Sequence, residues 1–181
     1  AERIIFSGRT KAPWTAFVGD SSNWSLKVIG TQTKSAFGAL SVKTVDGIVQ
    51  EDSRAVQWDG GQMSQFFFQS QTPLNLTDLA DSGGALSMTF KTTKLPEGKV
   101  IQRMDCGYPC SGSFDLTQLF TALPTNEWVT ASIKLTCFRD KGVDLSRVNA
   151  PLLITTDKPF ALTIVDVRLT SDVTKNTIVI C

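Results

Sequence analysis

Histidine is missing from all 181 residues. Its absence removes the Ser-His-Asp triad, the Cys-His dyad, the His-Glu-x-x-His zinc site and any imidazole proton shuttle. Long apolar runs are also missing, and none approaches the length of a membrane-spanning helix. No leader-like segment precedes Ala1, so the chain is expected to be a mature protein or a piece cut from a longer one. Basic runs are absent too: 18 Lys and Arg stand against 17 Asp and Glu, for a formal net charge of +1. The cations are scattered, so phosphate neutralisation has no support, and neither nucleic acid nor membrane is an expected partner. Helical periodicity is scarce, and no internal repeat or low-complexity tract occurs.

What remains is an ordinary globular mixture, 41% hydrophobic and 19% charged. The length suits one domain, residues 1–181, able to bury about 70% of its extended surface without a metal. Alternation of period two recurs along it. Leu40, Val42 and Thr44 share one strand face, and Leu86, Met88 and Phe90 share another. Val129, Ala131, Ile133 and Leu135 line up, as do Ala161, Thr163, Val165, Val167 and Leu169. Asp46-Gly47, Asp59-Gly60-Gly61, Ser82-Gly83-Gly84, Pro96-Glu97-Gly98 and Lys141-Gly142 punctuate the strands as turns. Only Asp115 to Leu123 has the composition of a short helix. Many short strands with regular turns predict an all-β sandwich or jelly roll, whose outer faces and loops are free for binding.

The four cysteines are Cys106, Cys110, Cys137 and Cys181. A zinc ribbon would need a second close pair, and the last two are far apart. The even count fits two disulfides, Cys106–Cys110 and Cys137–Cys181, in an exported protein. Four buried thiols in a cytosolic protein are the alternative. A bridge at Cys181 would tie down a chain end that otherwise frays.

Two carboxylates suffice for glycoside hydrolysis. Glu51 with Asp52, Asp78 with Asp81, and Asp140 with Asp144 lie close in sequence. Each pair sits in a polar stretch, without the apolar surround that raises a catalytic pKa, and reads as solvated surface acid. No catalytic centre is expected. No EF-hand spacing occurs. Asp20 with Asn23, or Asp46 with Asp166, are candidate ligands for a structural calcium of the kind that jelly-roll loops hold. No other cofactor is implied.

A pyranose stacks its apolar face on a ring while its hydroxyls need planar polar partners. The chain has four Trp, one Tyr and eleven Phe. Trp24, Trp58 and Trp128 read as core or rim aromatics, whereas Trp14, in loop-like Lys11-Ala12-Pro13-Trp14, stands evenly between core and platform. In Phe66-Phe67-Phe68, alternation sends Phe66 and Phe68 to one face and Phe67 to the other, with Gln65 and Gln69. An aromatic between two amides is a candidate sugar-contacting strip; a second face covered by a loop is the alternative. Arg103 and Asp105 share a face and lead into the Cys106–Cys110 loop, with Tyr108 at its tip. A stapled aromatic loop would bind at low entropic cost; a surface ion pair beside an ordinary turn is the alternative. Asn23-Trp24-Ser25 and Asn75-Leu76-Thr77 match the N-glycosylation pattern, which matters only in a eukaryotic secretory setting.

The stretch Arg103-Met104-Asp105-Cys106-Gly107-Tyr108-Pro109-Cys110-Ser111-Gly112-Ser113 resembles a bacterial domain found beyond the catalytic part of certain family 3 glycoside hydrolases, the exo-1,3/1,4-β-glucanases and related β-glucosidases. Gly8-Arg9, Ala12-Pro13-Trp14, Asp52-Ser53-Arg54-Ala55-Val56-Gln57-Trp58, Trp128 and Leu135-Thr136-Cys137-Phe138 extend the resemblance over nearly the whole chain. It implies a galactose-binding-like β-sandwich, export to the periplasm or beyond, and a family 3 catalytic region N-terminal to this one. The nucleophile and acid/base of that family lie in that region, so none is expected here. The resemblance assigns no sugar-binding residue, and Gln65, Phe67, Gln69, Arg103 and Tyr108 rest on the residue patterns alone. Two functions follow: an accessory module contacting β-glucan oligosaccharides, or a structural module that packs on the catalytic domain and stabilises it. A free-standing enzyme is disfavoured.

Overall fold

The computed structural model describes residues 2–173 and 176–181. In chain order its strands are β1 Arg3–Ser7, β2 Thr15–Gly19, β3 Leu26–Lys27, β4 Gln32–Lys34, β5 Leu40–Val45, β6 Ser53–Trp58 and β7 Ser64–Gln69. There follow β8 Ala85–Lys94, β9 Ile101–Asp105, β10 Ser111–Asp115, β11 Val129–Lys134, β12 Ala150–Thr156, β13 Phe160–Thr170 and β14 Thr177–Val179. One sheet runs β14-β11-β8-β13-β6-β5-β4, with β1 also paired to β13; the second runs β10-β9-β12-β7-β2-β3. All named pairings are antiparallel except β11 with β14. The two sheets enclose one apolar core, the jelly-roll-type sandwich that the alternation predicts.

Register explains the core. On β8, Leu86 stands opposite Ile133 and Leu169, Met88 opposite Ala131 and Val167, and Phe90 opposite Val129 and Ile164. Three adjacent strands thus present continuous apolar rows to the interior. Phe90, Phe120, Phe160 and Trp58 continue inward as a chain of rings with successive centroids 5.4, 4.9 and 5.5 Å apart. The Trp58 indole N–H donates to the Ser64 carbonyl at 3.0 Å, so its polar atom is satisfied within the core.

Two expectations are corrected. Ala161 to Leu169 is not one continuous face. Against β8, the register of β13 slips between Ile164 and Asp166, so the inward set is Phe160, Leu162 and Ile164, then Val167 and Leu169. β11 stops at Lys134, and Leu135 opens a helix, α3 Leu135–Asp140, that buries Leu135, Cys137 and Phe138. The other α-helices among the described residues are α1 Thr77–Asp81, unforeseen, and α2 Thr117–Ala122, inside the predicted 115–123 segment. Trp14, for which core and platform stood open, is 5% exposed and belongs to the core, while Trp24 is 46% exposed. The Trp14 N–H donates to the Lys11 carbonyl at 2.9 Å, a turn that folds the residue inward. Trp128 is half-buried, with the Lys91 ammonium 5.1 Å from its ring centre.

Both predicted disulfides are formed, and no cysteine is free among the described residues. Cys106–Cys110 closes the loop after β9. Cys137–Cys181 ties α3 to the chain end beyond β14.

Candidate functional site

The outer face of the six-stranded sheet gathers the predicted site residues. Strand alternation in β7 sends Phe66 and Phe68 into the core and Gln65, Phe67 and Gln69 outward. Across the sheet, Arg103 of β9 pairs with Leu153 of β12, Leu153 with Phe67, and Phe67 with Phe17 of β2. Strands lie about 4.8 Å apart, so this row spans about 14 Å from Arg103 to Phe17. Gln65 and Thr155 flank the row on one side, and Gln69 and Thr15 on the other.

At one end, Arg103 donates Nε to Asp105 Oδ1 at 2.6 Å and Nη2 to Oδ2 at 3.0 Å. The two side chains are 21% and 8% exposed, so this is a fork-like pair set into the surface rather than a free surface ion pair. The Arg103 guanidinium carbon lies 4.6 Å from the Tyr108 ring centre, and Tyr108 is 69% exposed. The loop that carries Tyr108 is pinned at several points. Cys106 N–H donates to the Cys110 carbonyl at 2.8 Å, Cys110 N–H to the Gly107 carbonyl at 3.0 Å, and Gly107 N–H to Asn149 Oδ1 at 2.9 Å. With the disulfide, these bonds hold an exposed ring in one place above a positioned guanidinium.

Phe67 is corrected. It faces outward, yet it is 4% exposed, with its ring stacked on Phe17 at 5.2 Å and an interplanar angle of 17°. Large apolar residues on both neighbouring strands, Leu153 and Phe17, flank it, so it supports the face rather than presenting a ring to solvent. Phe17, half-buried, is the ring that takes its place. Its outward slot between inward Ala16 and Val18 was a readable signal, the same alternation that assigned Phe67.

Gln65 Nε2 donates to the Trp24 carbonyl at 3.2 Å, joining β7 to the loop between β2 and β3. That loop is organised by buried Asp20, whose carboxylate accepts N–H bonds from Phe37 at 2.7 Å, Ser22 at 3.0 Å and Asn23 at 3.3 Å. Burial raises the Asp20 pKa, but these donors and Ser35 outweigh it and hold the carboxyl below its ordinary value. Gly19 is needed here, since a Cβ would stand 2.0 Å from the Trp24 carbonyl oxygen. Beside Phe17 and Gln69 lies a cleft of about 380 Å³, also lined by Pro13, Thr15, Gln71 and Thr72. Amides, hydroxyls and a ring edge suit a neutral polyhydroxyl ligand, and no acid or base lines the cleft to do chemistry on it.

Several carboxylates elsewhere are occupied. Asp52 accepts from Gly47 N–H at 2.8 Å, Val49 N–H at 2.9 Å, Ile48 N–H at 3.1 Å and the Ser53 hydroxyl at 2.8 Å. Burial raises its pKa, and those donors bring it below the ordinary value. Asp115 and Asp144 also shift downward, led by the hydroxyls of Thr117 and Ser146. A general acid needs the opposite shift. Of the candidate calcium ligands, Asp20 is spent on backbone N–H groups, Asp46 accepts from Glu51 N–H at 2.8 Å, and Asp166 is held by Arg168. Among the described residues no group of three or more Cys, Asp or Glu side chains is placed to hold a metal ion.

Comparison with known proteins places this fold. No curated relative matches the chain. Among solved structures, all of it aligns with the exo-1,3/1,4-β-glucanase ExoP from a Pseudoalteromonas species, at 21% identity and a TM-score of 0.86. The chain spans 22% of that enzyme's length. With the extra C-terminal domain of the same enzyme alone, 98% of this chain aligns with 96% of that one, at 21% identity and a TM-score of 0.79. The family 30 carbohydrate-binding module of the Clostridium thermocellum cellulosomal cellulase Cel9D-Cel44B aligns over 96% of this chain and 99% of its own, at 17% identity and a TM-score of 0.64. Residues 12–169 match the Exop_C family, described as galactose-binding domain-like, and the chain belongs to that family.

Proposed function

We propose that this domain is a non-catalytic accessory module of a β-glucan-degrading glycoside hydrolase, and that it contacts β-glucan oligosaccharides through the outer face of its six-stranded sheet. The hydrolytic groups then belong to a family 3 catalytic region N-terminal to it in the same polypeptide, working in the periplasm or outside the cell. The observation that carries this is Tyr108: an exposed ring, stapled by a disulfide and seated on Arg103, on the same face as Phe17, Gln65 and Gln69. Little conformational freedom is left to lose there on binding. The names of its structural relatives, a glucanase's extra domain and a carbohydrate-binding module, support the same reading.

The test is calorimetric titration with laminari- and cello-oligosaccharides. Tyr108→Ala and Phe17→Ala should each weaken binding by about 1 kcal/mol or more, the order of a lost stacking partner. Absence of heat with every oligosaccharide at millimolar concentration would sink the proposal. A second reading, bracing of the catalytic domain without sugar binding, is favoured by Ile48 and Val49. Both are exposed on the turn that Asp52 holds between β5 and β6. If that turn braces a partner domain, Ile48→Asp in the two-domain protein lowers its melting temperature and leaves that of the isolated domain unchanged.

A further inference from the structure

Of the four tryptophans, Trp24 is the one that the fold leaves exposed; Trp14 and Trp58 are buried and Trp128 is half-buried. An indole has more apolar area to gain by burial than almost any other side chain, so a ring held out in water calls for a reason. The loop that carries it is built to hold it. Pairing of Val18 with Leu26 closes the loop between β2 and β3. Inside it, Asp20 N–H donates to the Asn23 carbonyl at 3.0 Å, and Ser25 N–H donates to Asn23 Oδ1 at 3.0 Å. The Asp20 carboxylate, itself buried, accepts from Ser22 and Asn23 N–H as described above.

Gly19 fixes where the loop lies. In β2, Ala16 and Val18 point into the core, so Phe17 and residue 19 share the outer face. A Cβ on Gly19 would stand 2.8 Å from the Trp24 Cα. The Trp24 backbone therefore occupies the place on the outer face that a side chain at residue 19 would fill, beside Gln65, the β7 partner of Gly19. Tyr108 marks the other end, above Arg103 on β9. From Arg103 to Gly19 is three strands across and two residues along, about 16 Å. Phe67 and Leu153, which lie between, are closed to solvent, and the amides Gln65 and Gln69 flank them on β7. The exposed rings thus stand at opposite corners of the face, with Phe17, half-buried, on the Trp24 side.

We propose that the face binds an extended β-glucan segment that bridges these two corners, stacking on Tyr108 at one and on Trp24 at the other, so that it selects for chain length. The proposal rests on the reading of this face as a β-glucan site. A disaccharide reaches one ring at a time. A longer chain seated on one ring brings its far end to the other at high effective concentration, and two weak contacts become one firm one.

The test compares cellobiose with cellohexaose, and laminaribiose with laminarihexaose, by calorimetry, while the Trp24 indole N–H signal is followed by two-dimensional NMR. For the linkage that binds, the hexaose should bind at least about tenfold more tightly than the disaccharide and shift the Trp24 indole saturably. Trp24→Ala and Tyr108→Ala should each bring the hexaose down about tenfold, towards the disaccharide. Trp24→Tyr, which keeps a ring, should recover most of the loss. The urea midpoint of Trp24→Ala should match that of the unaltered protein, because the Gln65 bond goes to the Trp24 backbone. Hexaose binding that Tyr108→Ala weakens and Trp24→Ala does not, with the indole unmoved, would overturn the bridge and leave the sugar-binding reading standing. Equal affinity for the two chain lengths would do the same. No binding at either length would overturn both.

Discussion

Opening the Cys137–Cys181 bridge with Cys137→Ala and Cys181→Ala frees a loop whose ends are 44 residues apart, whereas the ends of the Cys106–Cys110 loop are 4 apart. Chain entropy puts the loss at about 4 kcal/mol for the long loop and about 2 kcal/mol for the short one. The structure adds a local consequence for the long bridge. Among the described residues β14 joins the sheet through the parallel register Thr130↔Thr177, Ala131↔Ile178 and Ser132↔Val179. Beyond it, Ile180 N–H donates to the Ser132 carbonyl at 2.9 Å, and Lys134 N–H donates to the Cys181 carbonyl at 3.2 Å. A strand this short at a chain end frays without a covalent anchor. Urea unfolding should therefore show a midpoint loss about twice as large for the long bridge, with a steeper denaturant slope because the unfolded chain is freer. Amide exchange at Ile180 and Lys134 should accelerate more than exchange within β8. If the Cys106→Ala, Cys110→Ala variant loses as much stability as the other, loop length does not govern these bridges, and the chain-entropy account is wrong.

Phe67→Ala should destabilise the domain by about 3 kcal/mol in urea unfolding, the cost of emptying a buried aromatic site, while Tyr108→Ala should stay within about 0.5 kcal/mol; a neutral Phe67→Ala would restore Phe67 as a free platform. Asp20 and Asp52 have folded pKa values below the ordinary one, so their stabilisation is complete above the unfolded value of about 3.9 and is lost as pH falls through the folded values. The melting temperature should drop below about pH 4, and Asp20→Asn should flatten that drop; an unchanged acid slope in the variant would show that Asp20 titrates alike in both states.

The strands that were legible are those in which polar and apolar residues alternate without interruption. Leu86, Met88 and Phe90 lie on the core face as the alternation requires, and so do Leu40 and Val42. The errors have a common cause. In β13, apolar Val165 fills the irregularity between Ile164 and Asp166, so a shift of face leaves the hydrophobic pattern intact. At Leu135 the alternation continues through Cys137, and only Phe138, on the next turn of α3, distinguishes a helix from a strand. The two cysteine pairs were legible because an even count with one close pair, Cys106 and Cys110, fits two bridges.

The site was legible one strand at a time and no further. Alternation tells which side of a sheet a residue occupies, and it placed Gln65, Phe67, Gln69 and Arg103 on sides that proved to be one face. A site, however, is a row across strands, and rows depend on register. The pairing of β12 with β9 passes from Ala150↔Asp105 to Leu153↔Arg103, three residues on one strand against two on the other. Without that extra residue Arg103 would meet Leu152, which points into the core, and the row from Arg103 through Leu153 to Phe67 and Phe17 would not exist. The same row flanks Phe67 with large apolar side chains on both sides and so decides that it supports the face while Tyr108 and Phe17 present it. Pro151 marks the irregularity, because proline cannot donate to the ladder and settles at bulges, but it does not say which side chain turns outward: Leu152, Leu153 and Ile154 are interchangeable by hydrophobicity, and only their partners distinguish the outward one.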